Sequence, residues 1–205
     1  MRAASAVRAK YVAPPQYATE PLTAVGAARL TQLAEENQQL RALLSLQSAT
    51  PLHSIPAEVI GRNNLPWEGN LLIGKGTAEG VTPHMVALVP DGVLGQVIAV
   101  SAHTAEILPL TDPAGGIPAM IARTKAPGVL KGDGEGRCQL LYLTGDADVA
   151  AGDAVITSGL GLIFPRGFPL GRITTVTSNA TLSSRIATVQ PAVNPATVMF
   201  VLLVK

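Results

Sequence analysis

The stretch PDGVLGQVIAV at residues 90–100 combines a proline-glycine turn, a second glycine and an alternating apolar strand. The same pattern returns at residues 165–176 as PRGFPLGRITTV. The proline and the first glycine favour a turn, and the second glycine, Gly95 or Gly171, marks the point where a strand restarts or bulges. The repetition predicts two similar small β-barrels built around equivalent hairpins.

A second pair of segments supports this duplication. Residues 80–87, GVTPHMVA, and residues 148–155, DVAAGDAV, each form a turn that leads into a strand. The offset between the repeats is about 68 residues here and about 76 residues downstream, so the second repeat has a loop roughly seven or eight residues longer within 158–165. The alternative is that glycine-rich turns look alike wherever they occur.

The composition of the 205-residue chain agrees with a β-rich fold and excludes several functions. Twenty glycines and 16 prolines indicate frequent turns between short elements, and about twelve short strands are predicted after Ile55. Only 14% of the residues are charged and the net charge is +1, which gives no electrostatic footprint for nucleic acid. Aromatic residues, at 3%, are too few for the stacking platforms of single-stranded nucleic-acid binders.

A leucine-rich helix precedes the strands. Its apolar seam has the 3, 4, 3, 4 spacing of coiled-coil a and d positions, with an asparagine at an a position: Leu30, Leu33, Asn37, Leu40 and Leu44. The narrow stripe favours a parallel homodimer, because a helix packed on a globular core usually has a wider apolar face. The alternative is a helix docked on its own domain, since two heptads are fewer than a long coiled coil has.

The predicted fold class is mainly β, with an N-terminal coiled-coil helix followed by two small β-barrels. We assign residues 1–22 to a flexible leader, 23–50 to the coiled-coil helix, 56–113 to the first barrel and 114–191 to the second. The last strand, within 192–205, is a candidate to complete the first barrel.

Motif analysis predicts no catalytic, cofactor-binding or metal-binding residue. His103, Asp112 and Ser158 stand in the chain order of one serine-protease family, but Ser158 has no Gly-x-Ser-x-Gly context that would expose a nucleophile. The single cysteine, Cys138, excludes a Cys-rich zinc site, and the three histidines lack the local spacing of a helical metal site. A divergent double-barrel serine hydrolase around His103, Asp112 and Ser158 is kept as an alternative.

Ten residues are predicted to shape turns. Asp112 begins a corner because its side chain can accept hydrogen bonds from backbone N–H groups two residues on, while proline restricts the next φ. The acidic residues at 146, 148 and 153 are interpreted as turn or solvated-loop residues. The set of structural turn residues is Gly76, Gly80, Gly92, Gly95, Asp112, Pro113, Gly152, Asp153, Gly167 and Gly171.

The order of these segments resembles the MreC family of bacterial rod shape-determining proteins. The resemblance rests on AEVIGR at 57–62, Trp67, IGKG at 73–76, the repeat at 90–97, and LPLTDP at 108–113. It continues through GDAVITSGLG at 152–161 and FPRGFPLGRI at 164–173. The similarity extends over roughly residues 30–176, and the joint order of the segments is far more specific than any one of them.

The resemblance implies a non-enzymatic scaffold of the elongasome that maintains rod shape. It implies a homodimer, with filaments as a further state, and barrels like those of trypsin-like proteases without the catalytic triad. The implied partners are class B penicillin-binding proteins together with MreD, MreB and RodZ, and no cofactor is implied. The implied location is the periplasmic face of the cytoplasmic membrane, although residues 1–29 contain no apolar run resembling the family's membrane anchor. A soluble β-barrel adaptor is the remaining alternative.

Overall fold

The computed structural model describes residues 24–50, 52–62, 69–144, 147–179 and 184–205. The predicted leader at 1–22, Trp67 and Asp146 lie outside these ranges. The chain forms two compact units, residues 1–36 and residues 37–205. The described part of the first unit, 24–36, is helical, and all the strands belong to the second unit.

Helix α1 spans Ala24–Ala49, close to the predicted 23–50. Alanine, leucine, glutamine and glutamate dominate it, and these residues lose little side-chain freedom in a helix. The hydroxyl of Thr50 donates to the carbonyl of Leu46 at 2.7 Å and satisfies one of the last helical acceptors. The helix ends just before Pro51, as expected because proline disfavours helical geometry in the residue that precedes it.

Twelve strands follow in the described part of the chain, the number that the turn spacing predicted. Two single-turn 3₁₀-helices, Thr77–Glu79 and Pro195–Thr197, are too short to show a helical period in the sequence. The strands are β1 Ser54–Arg62, β2 Leu71–Ile73, β3 Val86–Val89, β4 Gly92–Val100, β5 Ala105–Pro109, β6 Ile117–Ile121, β7 Pro127–Gly132, β8 Cys138–Thr144, β9 Ala154–Thr157, β10 Pro169–Asn179, β11 Ser184–Pro191 and β12 Phe200–Val204.

The strands close into two six-stranded antiparallel barrels, which confirms the predicted fold class. Barrel 1 has the order β1-β12-β3-β4-β5-β2, and barrel 2 has the order β10-β11-β8-β7-β6-β9. The two repeats correspond strand by strand: β3, β4 and β5 occupy the same relative positions as β9, β10 and β11. Within each barrel, all neighbouring strands pair antiparallel.

The second glycine of each repeat follows a β-bulge. The register shifts around Leu94 where β4 pairs with β3, and around Leu170 where β10 pairs with β9. Both leucines are fully buried. A second bulge occurs at Ile98 in β4 and at Thr174 in β10. The duplicated sequence pattern therefore corresponds to a duplicated pair of bulges, which bend the strands enough to close small barrels.

Each barrel is completed by a strand that follows the other repeat. The chain leaves β5 of barrel 1 at the Asp112 corner and continues into β6 of barrel 2. It leaves β11 of barrel 2 at Asn194 and returns as β12, which pairs with β1 and β3 of barrel 1. The two repeats thus exchange their sixth strands, and neither barrel can close without the other repeat.

The barrels contain two apolar cores, and the second of these cores joins the barrels to each other. The first fills barrel 1 and includes Ala87, Leu94, Val201 and Leu203. The second fills barrel 2 and extends to the outer side chains of β3 and β12, including Leu88 and Leu202. Both β3 and the last four residues of β12 are buried on both faces, consistent with their uninterrupted apolar sequence.

We expect Gly95→Ala and Gly171→Ala each to destabilise the protein by about 1–3 kcal/mol or more, because the added methyl group overlaps backbone. At Gly95 it would overlap the carbonyl oxygen of Leu108, and at Gly171 that of Gln190. Denaturant unfolding measures the loss. Gly61→Ala is the matched control, because its methyl group would meet Leu72 at an ordinary 3.5 Å. Equal stability of Gly61→Ala and Gly171→Ala would contradict the conclusion that close backbone packing requires glycine at position 171.

Candidate interaction surfaces

The two corners that redirect the chain between barrels have the same design. The Oδ1 atom of Asp112 accepts a hydrogen bond from the Ala114 amide at 2.7 Å, and Oδ1 of Asn194 accepts one from the Ala196 amide at 3.0 Å. Proline follows each corner residue, at 113 and 195. The second corner was missed by the sequence analysis, although the signal, Asn-Pro-Ala against Asp-Pro-Ala, was present.

Several predicted turn glycines adopt left-handed backbone conformations. Gly80, Gly152 and Gly167 have φ values of 89°, 91° and 94°, a region that side chains other than glycine disfavour. At Gly92, a side chain would overlap the carbonyl oxygen of Pro169, where the two repeats meet. The amide of Gly76 instead donates to Oε2 of Glu79 at 2.7 Å and stabilises the adjacent 3₁₀ turn.

The acidic loop of barrel 2 forms an ion-pair cluster. The guanidinium of Arg123 donates to both carboxylate oxygens of Asp153, at 2.9 and 2.8 Å, and also binds Asp148. Oδ2 of Asp153 accepts a further bond from the Ala150 amide at 3.0 Å. The hydrogen bonds from Arg123 hold the pKa values of Asp148 and Asp153 below the usual range for aspartate. The cluster joins the segment after β6 to residues 148–153 before β9.

We expect Arg123→Met to lower the melting temperature at pH 7 and to lower it by a smaller amount at pH 3. The carboxylates have depressed pKa values in the folded state, so their contribution is present above about pH 4 and lost as the pH falls through those lower values. Thermal unfolding at the two pH values measures the difference. Lys131→Met is the control, because Lys131 forms no ion pair within the described ranges. A difference in melting temperature between wild type and Arg123→Met that is the same at both pH values would refute the contribution of these ion pairs to stability.

The three residues in serine-protease order each have other partners. Nδ1 of His103 lies 3.1 Å from Oε1 of Glu79, across an exposed turn. Asp112 accepts a hydrogen bond from the Ala114 amide of its own corner. Oγ of the buried Ser158 accepts a hydrogen bond from the Leu160 amide at 3.2 Å. Among the hydrogen bonds of the described residues, none joins two members of this trio. These contacts give the three residues structural roles.

Neither a metal cluster nor a membrane-spanning helix occurs in the part of the chain that the structure describes. No group of three or more His, Cys, Asp or Glu side chains there could hold a metal ion. No described helix is both long and apolar enough to cross a membrane. The single thiol, Cys138, is buried in barrel 2, and burial raises its pKa to about 12.

Helix α1 presents the predicted leucine seam to solvent. Asn37 is exposed. The seam leucines are between 38% and 61% exposed, and they are Leu30, Leu33, Leu40 and Leu44. Leu43, on another face of the helix, is 5% exposed and joins the core shared by the barrels. The last turns of the helix therefore dock on their own domain through Leu43, while the residues at a and d spacing stay uncovered within the monomer. Such a line of exposed leucines is typical of an interaction surface.

Comparison with known proteins identifies relatives of this architecture. Residues 59–205 match the family model of the rod shape-determining protein MreC, barrel core. The cell shape-determining protein MreC of Caulobacter vibrioides is 35% identical over 143 residues, which cover 70% of this chain and 41% of that protein. The chain spans about 40 to 50% of the length of the first curated relatives it matches.

Solved structures show the same pair of barrels. A structure named MreC has a TM-score of 0.79 at 31% identity and covers 84% of this chain and 99% of its own. The major periplasmic domain of a cell shape-determining filament MreC has a TM-score of 0.67 at 26% identity, with coverages of 74% and 95%. At 15% identity, MreC from Helicobacter pylori, solved in complex with the penicillin-binding protein PBP2, shares the fold with a TM-score of 0.61 and coverages of 75% and 99%.

Proposed function

We propose that this chain, which belongs to the MreC family of rod shape-determining proteins, is a non-enzymatic scaffold that dimerises through α1 and presents barrel surfaces to cell-wall synthesis proteins. The observation that carries the proposal is the exposed leucine seam on a helix whose Leu43 is anchored in the core. Leu40, Leu43 and Leu44 belong to the same compact unit as the barrels, so this part of the seam lies beside the barrel core.

The parallel dimer is supported by the position of Asn37. In a parallel two-stranded coiled coil, asparagines at equivalent a positions pair across the seam and fix its register. Asn37 lies between Leu33 and Leu40 on the exposed stripe, where pairing with the same residue of a second chain would satisfy its amide. We place residues 23–50 in this coiled coil and the remaining chain in the barrel pair.

The proposed location is the periplasmic face of the cytoplasmic membrane, with class B penicillin-binding proteins as partners. Family membership supports both assignments, and two relatives of the same fold are described respectively as a periplasmic domain and as a complex with PBP2. We extend the same proposal to MreD, MreB and RodZ as components of the assembly. The double barrel is suited to this role because the exchanged strands β6 and β12 join its two halves into one unit.

We expect the double substitution Leu33→Asp with Leu40→Asp to abolish pairing through α1 and so to lower the average mass of the full chain at a given concentration. Each aspartate would place a charge in the apolar seam, where it would lack a partner and its desolvation would be costly. Light scattering of the full chain over a concentration series measures the mass. Gln38→Asp is the matched control, because it adds a charge to an exposed position outside the seam. An average mass that the double substitution leaves unchanged across the concentration series would disprove the coiled coil.

The same variants separate dimerisation from partner binding. The probe is the purified extracytoplasmic domain of a class B penicillin-binding protein from the organism that encodes this chain, added to immobilised wild-type or doubly substituted protein. Binding by both would locate the partner surface on the barrels, and binding by the wild type alone would make it dependent on the dimer. Binding by neither would contradict the proposed partnership.

The enzymatic alternative has its own test. We expect a fluorophosphonate probe, which labels activated serines, to leave this protein unlabelled, because the Ser158 hydroxyl is buried and hydrogen-bonded to the Leu160 amide. In-gel fluorescence beside trypsin as a positive control measures labelling. Labelling that disappears in Ser158→Ala but persists in Thr174→Ala, an exposed hydroxyl control, would favour a hydrolase instead.

A further inference from the structure

The hairpin of β10 and β11 in the second repeat is longer than the equivalent hairpin of β4 and β5 in the first. The outer part of each hairpin begins at a β-bulge, at Ile98 in β4 and at Thr174 in β10. Strand β4 ends at Val100, two residues after its bulge, whereas β10 continues to Asn179, five residues after its bulge. Both barrels close with the same strand order, so closure does not require the additional length.

The additional length of β10 has a free side in the described part of the chain. Strand β9 pairs with β10 at residues 169–172, and Ile173 bonds to Gly152 and Asp153. From residue 174 to residue 179, the described backbone pairs β10 with β11 alone. We name the opposite side of residues 174–179 the β10 edge. Residues 174–177 are exposed, so the edge offers backbone N–H and C=O groups to which a further strand can pair.

The β-bulge determines which backbone groups point to the β10 edge. Ile173 directs its groups away from β11, because its amide donates to Asp153 at 2.9 Å and its carbonyl accepts from Gly152 at 2.7 Å. The register shift then inserts one residue, Thr174. Backbone groups alternate in direction along a strand, so Val176 is the next residue with the orientation of Ile173. The N–H of Val176 is therefore a donor of the β10 edge, whereas that of Thr177 faces β11.

The β10 edge lacks the features that usually prevent an exposed edge from pairing. Natural edge strands often carry charged side chains, especially lysine, or proline. Residues 174–179, TTVTSN, contain neither, and the bulge lies only at the first of them. Threonine and valine also favour extended structure. A long edge of this composition is suited to bind an extended segment, because the added strand would satisfy its backbone groups.

Two arginines give the surroundings of the β10 edge a positive charge. Arg172 directly precedes the edge and is exposed, and Arg185 lies in β11 opposite the edge residues. Neither arginine takes part in an ion pair among the described residues. The carboxylates of Asp148 and Asp153 bind Arg123 instead. This environment favours an acidic side chain on the segment that pairs with the edge.

We propose that the β10 edge accepts an extended, largely uncharged segment of a partner protein as an added β-strand, with an acidic side chain of that segment beside Arg172. In this mode of recognition, backbone hydrogen bonds supply affinity and alternate side chains supply specificity. The inference rests on the proposed function and deepens it, because the added strand is assigned to the class B penicillin-binding protein proposed as partner. Residues 174–179 then form the part of barrel 2 that contacts the partner.

The first test measures binding of the purified extracytoplasmic domain of a class B penicillin-binding protein, from the organism that encodes this chain, to the immobilised full chain. We expect Val176→Pro to raise the dissociation constant about tenfold or more, because proline removes the outward donor from the edge. The melting temperature should change little, since edge strands accept proline where the N–H faces solvent. Val176→Ala is the matched control, because it shortens the side chain and keeps the N–H, and it should bind like the wild type.

A second variant tests the edge without altering its backbone. Thr177→Lys places on the edge the charge that natural edge strands use against pairing, and we expect binding at least about threefold weaker. Gln139→Lys is the control, because Gln139 is an exposed residue of β8 that is paired with both β7 and β11. Arg172→Gln should also weaken binding, and by less at high salt than at low salt, because salt screens its attraction to the acidic side chain.

Amide hydrogen exchange detects the added strand directly. When the full chain is saturated with the same penicillin-binding protein domain, exchange of the Val176 amide should slow about tenfold or more, because this amide gains an acceptor. The Thr177 amide already faces β11 and should change far less. A contact through side chains alone would not produce this difference between neighbouring residues.

The outcomes separate this inference from the proposed function. Binding that Val176→Pro and Thr177→Lys leave unchanged, without protection of the Val176 amide, would overturn the added strand and leave the scaffold function standing. Protection of Val176 that rises with the concentration of this chain alone would also overturn it, because a second copy would then occupy the edge. A wild-type chain that does not bind the domain would reject both this inference and the proposed partnership.

Discussion

The exchange of sixth strands between the two repeats is the constraint on which the rest of the structure depends. Barrel 1 closes only when β12 returns from the second repeat, and barrel 2 closes only when β6 arrives from the first. Separating the barrels would therefore expose their shared core and also open both sheets. The unpaired edges and the core residues Leu88 and Leu202 would both meet water. The two barrels consequently belong to one compact unit, residues 37–205.

The exchange requires two sharp corners, and the fold supports them in different ways. At Asp112, the corner packs so closely on β7 that a side chain at Gly132 would overlap the Thr111 carbonyl. At Asn194, the half-buried guanidinium of Arg62, from the end of β1, donates to the carbonyls of Pro195 and Val198. Burial lowers the pKa of Arg62. Close backbone packing thus holds the first corner in place, and hydrogen bonds from a long cationic side chain hold the second.

Local features were predictable from the sequence, whereas long-range pairings were not. Glycines at 95 and 171 predict bulges because their spacing from the turn is a local property, and these bulges set the barrel curvature. The apolar run at 201–204 is consistent with a strand buried on both faces. Its partner strands lie more than a hundred residues away in the chain, so periodicity alone cannot assign them. The docking of Leu43 and the exposure of Leu162 likewise depend on tertiary contacts.

The polar groups that could suggest chemistry are engaged in holding the backbone. Asp112 stabilises a corner, Ser158 accepts from a loop amide, His103 meets Glu79, and Asp153 is shared between Arg123 and a backbone amide. Exposed apolar side chains of the described residues include the seam leucines of α1 and, in the loop between β9 and β10, Leu160 and Leu162. A scaffold binds its partners without reacting with them, and apolar contacts can provide such binding. Polar groups that support the backbone and leucines that remain exposed therefore fit the proposed scaffold. Only the second repeat carries the longer apolar loop, so the two barrels are not equivalent. An assembly of these chains would therefore have two different ends.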